Sequence, residues 1–294
     1  MIRGQGSSVG VIGGGRMGAG IAYLLATAGC QVTVVEPGQD SQRAARHRVE
    51  ETLVRAAERG KLSEPADQVL RRVQTTESPA GLPADASLVI EAVPELPDLK
   101  AAVLTAAEET VPAECVIASN TSSLSITSLS RALGHPQRFI GMHFFNPVPA
   151  STLVEIVTGE ATNATTTERA VAWTRMLGKS EVIVRDSPGF ATSRLGVLLG
   201  LEAIRMIEEG VADAASIDRA MELGYRHPVG PLRSTDLVGL DVRLNIAEHL
   251  ARTLGSRFEP PGLLRDKVSR GELGRKSGRG FYDWDVSEAA GGGR

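Results

Sequence analysis

Ser8-Val9-Gly10-Val11-Ile12 runs directly into Gly13-Gly14-Gly15-Arg16-Met17-Gly18, after which Ile21, Leu24 and Leu25 recur at helical spacing as far as Gly29. That pattern is a buried strand, a tight turn and a helix. Each glycine has a task in such a unit. Gly13 permits the turn, Gly15 lets the backbone approach a pyrophosphate, and Gly18 lets the helix pack against the strand. The helix N-terminus adds unsatisfied N–H groups and a partial positive charge, which suit an anion. Glycine-rich turns are common, so a plain strand-to-helix turn is the competing interpretation until the flanks are read.

The flanks favour a dinucleotide. A second apolar run, Val32-Thr33-Val34-Val35, ends on Glu36, 21 residues after Gly15. An acid about 20 residues beyond the glycines is placed to accept hydrogen bonds from the adenosine ribose. The same carboxylate would repel the extra phosphate of NADP. Pro37 and Gly38 follow it, and the nearest basic residue, Arg43, belongs to the next helix. The expected cofactor is therefore NAD.

A chain of 294 residues with 42% hydrophobic content is sized for two domains with sizeable cores. Its net charge of −3 speaks against nucleic acid as a partner. No stretch approaches the roughly 18 uninterrupted apolar residues of a membrane helix, and Met1 to Ser8 lacks a charged-then-apolar leader. The expected location is the cytoplasm. Cys30 and Cys115 lie beside or within apolar strand patterns and read as free buried thiols, with no disulfide, metal site or nucleophile assigned to them.

Beyond Glu36 a long charged helix spans about residues 41–60. Short strands follow near Val73, at Leu88-Val89-Ile90, at Val116-Ile117-Ala118 and around Phe139-Ile140, with helices between them. Thr152 to Val157 and Glu181 to Val184 read as two further strands around a helix at about residues 166–177. Asp186-Ser187-Pro188-Gly189 is turn chemistry, after which the periodicity turns helical at about residues 190–209, 216–223 and 234–254. The expectation is an α/β chain. A Rossmann-type doubly wound sheet domain occupies residues 1–187, and a smaller all-helical domain occupies 188–294, with a disordered tail over 287–294.

Oxidising an alcohol with NAD needs a base for the hydroxyl proton, a donor that holds the oxygen, and an acid that keeps the base oriented. His143 lies beyond a strand in Gly141-Met142-His143-Phe144-Phe145-Asn146-Pro147, where open α/β sheets place ligands. Glu155 follows twelve residues later, a separation natural for adjacent strands joined through Pro147-Val148-Pro149. The competing interpretation is a packed strand histidine and an unrelated surface glutamate. Asn120-Thr121-Ser122-Ser123 also follows a strand, and capping of the next helix by one of these serines competes with a role at the crevice. From spacing alone, Glu95 and Lys100 read as solvated.

Six ordered blocks together resemble the 3-hydroxyacyl-CoA dehydrogenase family. They are Gly13-x-Gly15-x-x-Gly18, Ser119 to Leu124, Gly141 to Val148, Leu153-Val154-Glu155, Asp186 to Phe190, and Arg275-Lys276-Ser277-Gly278-Arg279-Gly280-Phe281-Tyr282. The resemblance spans about Val9 to Trp284 and implies an NAD-dependent oxidoreductase of β-oxidation and fatty acid metabolism. Its substrate would be a short (S)-3-hydroxyacyl-CoA such as 3-hydroxybutyryl-CoA, and its assembly a homodimer.

Carried over residue by residue, the resemblance makes His143 the catalytic base, Glu155 its acidic partner and Ser122 the hydroxyl that touches substrate and nicotinamide. Glu36 stands where the family usually has Asp. Glu95, Lys100, Asn146 and Lys276 match positions around the cofactor, against the solvated reading of the first two. Ser193 replaces the substrate-site asparagine; a serine is shorter and lacks the paired donor and acceptor of an amide. Losing one such contact costs about 1–3 kcal/mol. The positions that contact CoA align with Thr52 and Arg59, similar to but not identical with the family's Ser and Lys.

The basic stretch holding Arg43, Arg46, Arg48, Arg55, Arg59 and Lys61 would suit CoA phosphates, or would form a solvated face paired with Glu50, Glu51 and Glu58. Two further readings stay open. One is a dehydrogenase of a free hydroxy acid, sugar acid or carnitine on the same architecture. The other is a non-catalytic, crystallin-like NAD-binding protein.

Overall fold

The computed structural model describes residues 6–285, so the tail expected to be disordered lies outside the described residues. The chain divides into two compact units, Met1–Ser187 and Pro188–Arg294.

The first unit opens with β1 (Ser8–Ile12), α1 (Arg16–Thr27), β2 (Gln31–Val35), α2 (Gln39–Glu58), α3 (Ala66–Leu70) and β3 (Val73–Thr76). It continues through β4 (Leu88–Glu91), α4 (Pro97–Thr110), β5 (Val116–Ser119), α5 (Ile126–Ser130), β6 (Phe139–Phe144), β7 (Leu153–Thr158), α6 (Ala164–Met176) and β8 (Ser180–Arg185). Its eight strands form one sheet in the order β3-β2-β1-β4-β5-β6-β7-β8. Order reverses between β1 and β4, and such a switch point opens a crevice at the carboxyl ends of the strands. The pairs are parallel apart from β6 and β7, which run antiparallel. This is the Rossmann-type sheet expected from the alternating pattern.

The central strands are apolar because helices cover both faces. Val9, Val11, Leu88, Ile90, Ile140 and Ile156 are each at most about 0% exposed and share one core with Leu25, Val49 and Trp173. Each such side chain contributes about 1.5–3 kcal/mol by leaving water. Polar residues appear where this logic stops, at the strand ends. Glu91 and Ser119 end β4 and β5, His143 stands one residue before the end of β6, and Glu155 faces it from within β7; all four are buried.

The second unit is helical: α7 (Thr192–Glu208), α8 (Ala214–Tyr225), α9 (Pro231–Val238), α10 (Leu240–Leu254) and α11 (Gly262–Ser269). The single helix expected over residues 234–254 is in fact two. Gly239 breaks it with φ of +104° and ψ of 130°, a backbone that other residues rarely adopt. α11 lies beyond the helices expected from the sequence. Val197, Leu201, Ile204, Leu232, Leu250 and Phe258 form this unit's own core. Two buried aspartates fasten the closing segment to it. Asp236 accepts from the Phe281 and Tyr282 amides and from the Trp284 indole, and Asp218 accepts from the Tyr282 hydroxyl at 2.7 Å.

Among the described residues, no helix is long and apolar enough to cross a membrane.

Candidate functional site

The turn after β1 is built as its glycines require. Gly13 has φ of +95°, and a Cβ there would stand 2.8 Å from the Ala92 carbonyl oxygen. A Cβ on Gly18 would stand 1.7 Å from the Gly13 oxygen, so only glycine lets α1 start this close to the strand. Gly15 faces open space. It is the N-cap of α1, has no side-chain cap, and no acidic residue occupies the first turn. The helix therefore offers its first N–H groups and positive end outward, with no carboxylate competing for them.

Glu36 follows the end of β2 and accepts a 2.5 Å hydrogen bond from the Gly14 amide, which brings the acid beside the glycine turn. Glycine turn, uncapped helix and strand-end acid together fit a dinucleotide: phosphates at Gly15 and the ribose at Glu36.

His143 and Glu155 come from the antiparallel pair β6 and β7, and their Cα positions are direct partners in the ladder. Nδ1 of His143 lies 2.8 Å from Oε2 of Glu155, with His143 7% and Glu155 0% exposed. A carboxylate accepts, so the neutral imidazole carries its proton on Nδ1 and its lone pair on Nε2. Phe145 packs beside the imidazole with ring centroids 4.3 Å apart.

Ser122 is exposed on the loop after β5, and its backbone amide donates to Glu95 at 3.1 Å. Neither Ser122 nor Ser123 caps the following helix. Ser125 does so, accepting from the Ser128 amide at 3.0 Å, because α5 begins later than its motif suggests. The Ser122 loop is shaped by Thr121, whose hydroxyl accepts from the Leu124 amide at 2.9 Å. Ser122, His143, Asn146, Glu95 and Lys100 line one cavity of about 330 Å³, together with Met17 from the start of α1.

Lys100 is not solvated, as spacing alone suggested. It is 1% exposed on α4, and its ammonium meets Glu91 at 2.6 Å, Glu95 at 3.2 Å and the Val93 carbonyl at 3.2 Å. Glu95 is exposed, as its spacing suggested, and lines the cavity. Oε1 accepts from the Thr121 hydroxyl, the Ser122 and Ser123 amides and the Ser123 hydroxyl. Burial pushes the Glu95 carboxyl up, but the Thr121 hydrogen bond and the Lys100 charge outweigh it and hold the group below the usual carboxylate range.

Two contributors escaped the sequence reading. Glu91, which closes β4, accepts from Lys100, from the Ser119 hydroxyl at 2.6 Å and from the Val93 amide at 2.7 Å. Asn120 accepts from the Phe144 amide at 2.8 Å and so fixes the chain just beyond His143. The available signal for Glu91 was the one used for Glu36, an acid ending an apolar strand.

The other expected residues have partners or positions within their own units. Thr52 bonds back to the Arg48 carbonyl within α2 at 2.8 Å, and Arg59 is the exposed C-cap of that helix. Part of the basic stretch serves its own unit: Arg46 binds the Val73 carbonyl and Arg48 the Gly14 carbonyl. Ser193 is half-buried in the first turn of α7. Lys276 holds both oxygens of Asp241 at 2.6 Å. Cys30 and Cys115 are buried, and burial pushes their thiols up to about 11 and about 12.

Residues 8–187 match the family described as 3-hydroxyacyl-CoA dehydrogenase, NAD binding domain, and residues 189–284 match that family's C-terminal domain. The chain belongs to the 3-hydroxyacyl-CoA dehydrogenase family. A probable 3-hydroxybutyryl-CoA dehydrogenase of Deinococcus radiodurans is 41% identical over 276 residues, covering 94% of this chain and 99% of that relative. A 3-hydroxybutyryl-CoA dehydrogenase of Mycobacterium tuberculosis is 43% identical over 283 residues, covering 94% and 98%. The crystal structure of (S)-3-hydroxybutyryl-CoA dehydrogenase from Ralstonia eutropha superposes with a TM-score of 0.90 at 38% identity, covering 97% of this chain and 100% of that one. Membership places NAD on the first unit, in agreement with the fit of the glycine turn and Glu36.

Proposed function

We propose that this chain oxidises a short (S)-3-hydroxyacyl-CoA to the 3-oxoacyl-CoA, with His143 as the general base. The single observation that carries the reading is the His143–Glu155 pair opening onto the same cavity as Ser122 and the N-terminal end of α1. Bound NAD supplies the acceptor for the hydride that leaves C3. Nε2 of His143 takes the hydroxyl proton as the C3–O bond becomes a carbonyl, and Glu155 stabilises the imidazolium that results. Ser122 holds the reacting oxygen; among the described residues its hydroxyl makes no hydrogen bond that would divert it. Phe145, packed on the imidazole, keeps water from that side.

Glu95, Lys100 and Asn146 are assigned to the cofactor because they line this cavity. Lys276, Ser193, Thr52 and Arg59 are assigned to cofactor or substrate by family resemblance. A cytoplasmic homodimer is the accompanying proposal, supported by the outward Leu195 and Leu199 of α7, 61% and 43% exposed.

The test is NADH oxidation with acetoacetyl-CoA against free acetoacetate. Turnover confined to the CoA ester is expected. Turnover of the free acid instead would favour a hydroxy-acid dehydrogenase, and tight NADH binding with no turnover would favour a non-catalytic binder.

A further inference from the structure

Lys100 and Glu95 line the cavity of His143, and Glu91 stands behind them at 0% exposure. The Lys100 ammonium lies 2.6 Å from Glu91 and 3.2 Å from Glu95, so the nearer carboxylate is the hidden one. A single cation between two carboxylates leaves the cluster with a net negative charge, and its exposed member is Glu95. Desolvation opposes a charge on Glu95, but the Thr121 hydrogen bond and Lys100 keep the carboxyl below its usual range and ionised at neutral pH. The remaining titratable group among the residues that line the cavity is His143, which reacts as a neutral base with the Glu155 carboxylate on its far nitrogen. The cavity wall is therefore negative.

The sign bears on the cofactor. His143 and Ser122 can act only on a C3 atom within reach of the nicotinamide ring, so the ring must enter this cavity for hydride to move. That ring is positively charged in NAD+ and neutral in NADH, while the rest of the two molecules carries the same charge. A negative wall separates the two oxidation states, and a neutral wall does not. Without the Glu91 charge, Lys100 would cancel Glu95 and leave the wall neutral.

We propose that Glu91 is a positioning residue that takes up the Lys100 charge, keeps the Glu95 wall negative and so strengthens binding of NAD+ relative to NADH. The inference rests on the reading of His143 and Ser122 as the reacting site. Glu91 also braces the loop that carries Ser122: it accepts from the Ser119 hydroxyl at 2.6 Å, and that oxygen accepts from the Thr121 amide at 3.2 Å. A brace would affect both cofactors alike, whereas a charge distinguishes them.

The experiment measures dissociation constants of NAD+, NADH and ADP-ribose by titration calorimetry on the full chain, as wild type, Glu91→Gln, Glu91→Asp and Glu95→Gln. No acyl ester is added, because in the reacting complex His143 gains the charge that the ring loses. Glu91→Gln keeps the shape and removes the charge. It should raise the ratio of Kd for NAD+ to Kd for NADH by about tenfold, the size of a single charge acting across a partly exposed wall. Glu95→Gln should raise the ratio to a similar extent, although only Glu95 lines the cavity. Glu91→Asp, which keeps the charge, should leave the ratio near that of wild type. ADP-ribose lacks the ring and should bind every variant within a few-fold of wild type.

An unchanged ratio in Glu91→Gln would overturn the proposal. An equal loss of affinity for all three nucleotides would also overturn it, leaving Glu91 as a brace alone. If Glu91→Gln does not fold, Glu95→Gln carries the test: the same rise supports the negative wall, and an unchanged ratio overturns it. Wild-type turnover of acetoacetyl-CoA beside an unchanged ratio would sink this inference alone. NADH binding without that turnover would sink the proposed function beneath it.

Discussion

Glu155 stands directly across the antiparallel β6–β7 ladder from His143, and its carboxylate takes the Nδ1 hydrogen bond at 2.8 Å with no exposure to solvent. Replacing it with glutamine keeps the shape and removes the charge that holds the imidazole in one tautomer. Glu155→Gln should lower kcat by about 10²- to 10⁴-fold, the range associated with an oriented general base, with little change in NADH affinity. Steady-state kinetics beside NADH fluorescence titration read both quantities, and a kcat within about threefold of wild type would remove Glu155 from the mechanism.

Glu36 makes the corresponding claim for the cofactor. Glu36→Ala should raise KM for NAD by about tenfold, the loss of roughly one to two hydrogen bonds, and should narrow the preference for NAD over NADP. Paired kinetics with the two cofactors would show an unchanged preference if Glu36 is only a brace for the Gly14 amide.

That pair of acids marks what was legible in the sequence. The strand, glycine turn and helix were readable because each glycine answers a steric demand at a fixed spacing. His143 and Glu155 could be brought together because a short proline-bearing connection joins two strands. Lys100 could not be placed, because a lysine on a helix is almost always solvated. Glu91, buried at the neighbouring strand end, draws it inside together with Glu95 and the Val93 carbonyl. The clasp of Asp236 on Phe281, Tyr282 and Trp284 depends on where distant segments meet, which no local period encodes.

Glu95 links the site to pH. Its folded pKa lies below the ordinary 4.5, so its contribution to stability is present above the unfolded value and fades as pH falls through the folded one. The melting-temperature gap between wild type and Glu95→Gln should be widest near neutrality and should close toward pH 4 and below. Thermal melts across that range test the sign, and a gap that widens in acid would contradict it.

Gly239 separates α9 from α10 at φ of +104°, and a Cβ there would approach Asp241 at 3.0 Å and the Lys276 ammonium at 3.3 Å. Gly239→Ala should therefore destabilise the protein by about 1–3 kcal/mol. Denaturant titration with an unchanged midpoint would show that the break relaxes without strain.

The two thiols, pushed up to about 11 and about 12 by burial, should not react with a disulfide reagent at pH 8 in the native state and should both react after unfolding. Rapid native labelling of either cysteine would show that its strand opens to solvent.

The most direct test of the whole account is acetoacetyl-CoA reduction by His143→Gln beside the wild type. The account predicts a kcat lower by about 10²- to 10⁴-fold with KM for the ester and for NADH held within a few-fold. A variant that keeps more than about a tenth of wild-type kcat would contradict it, because the proton would then be moving through some other group.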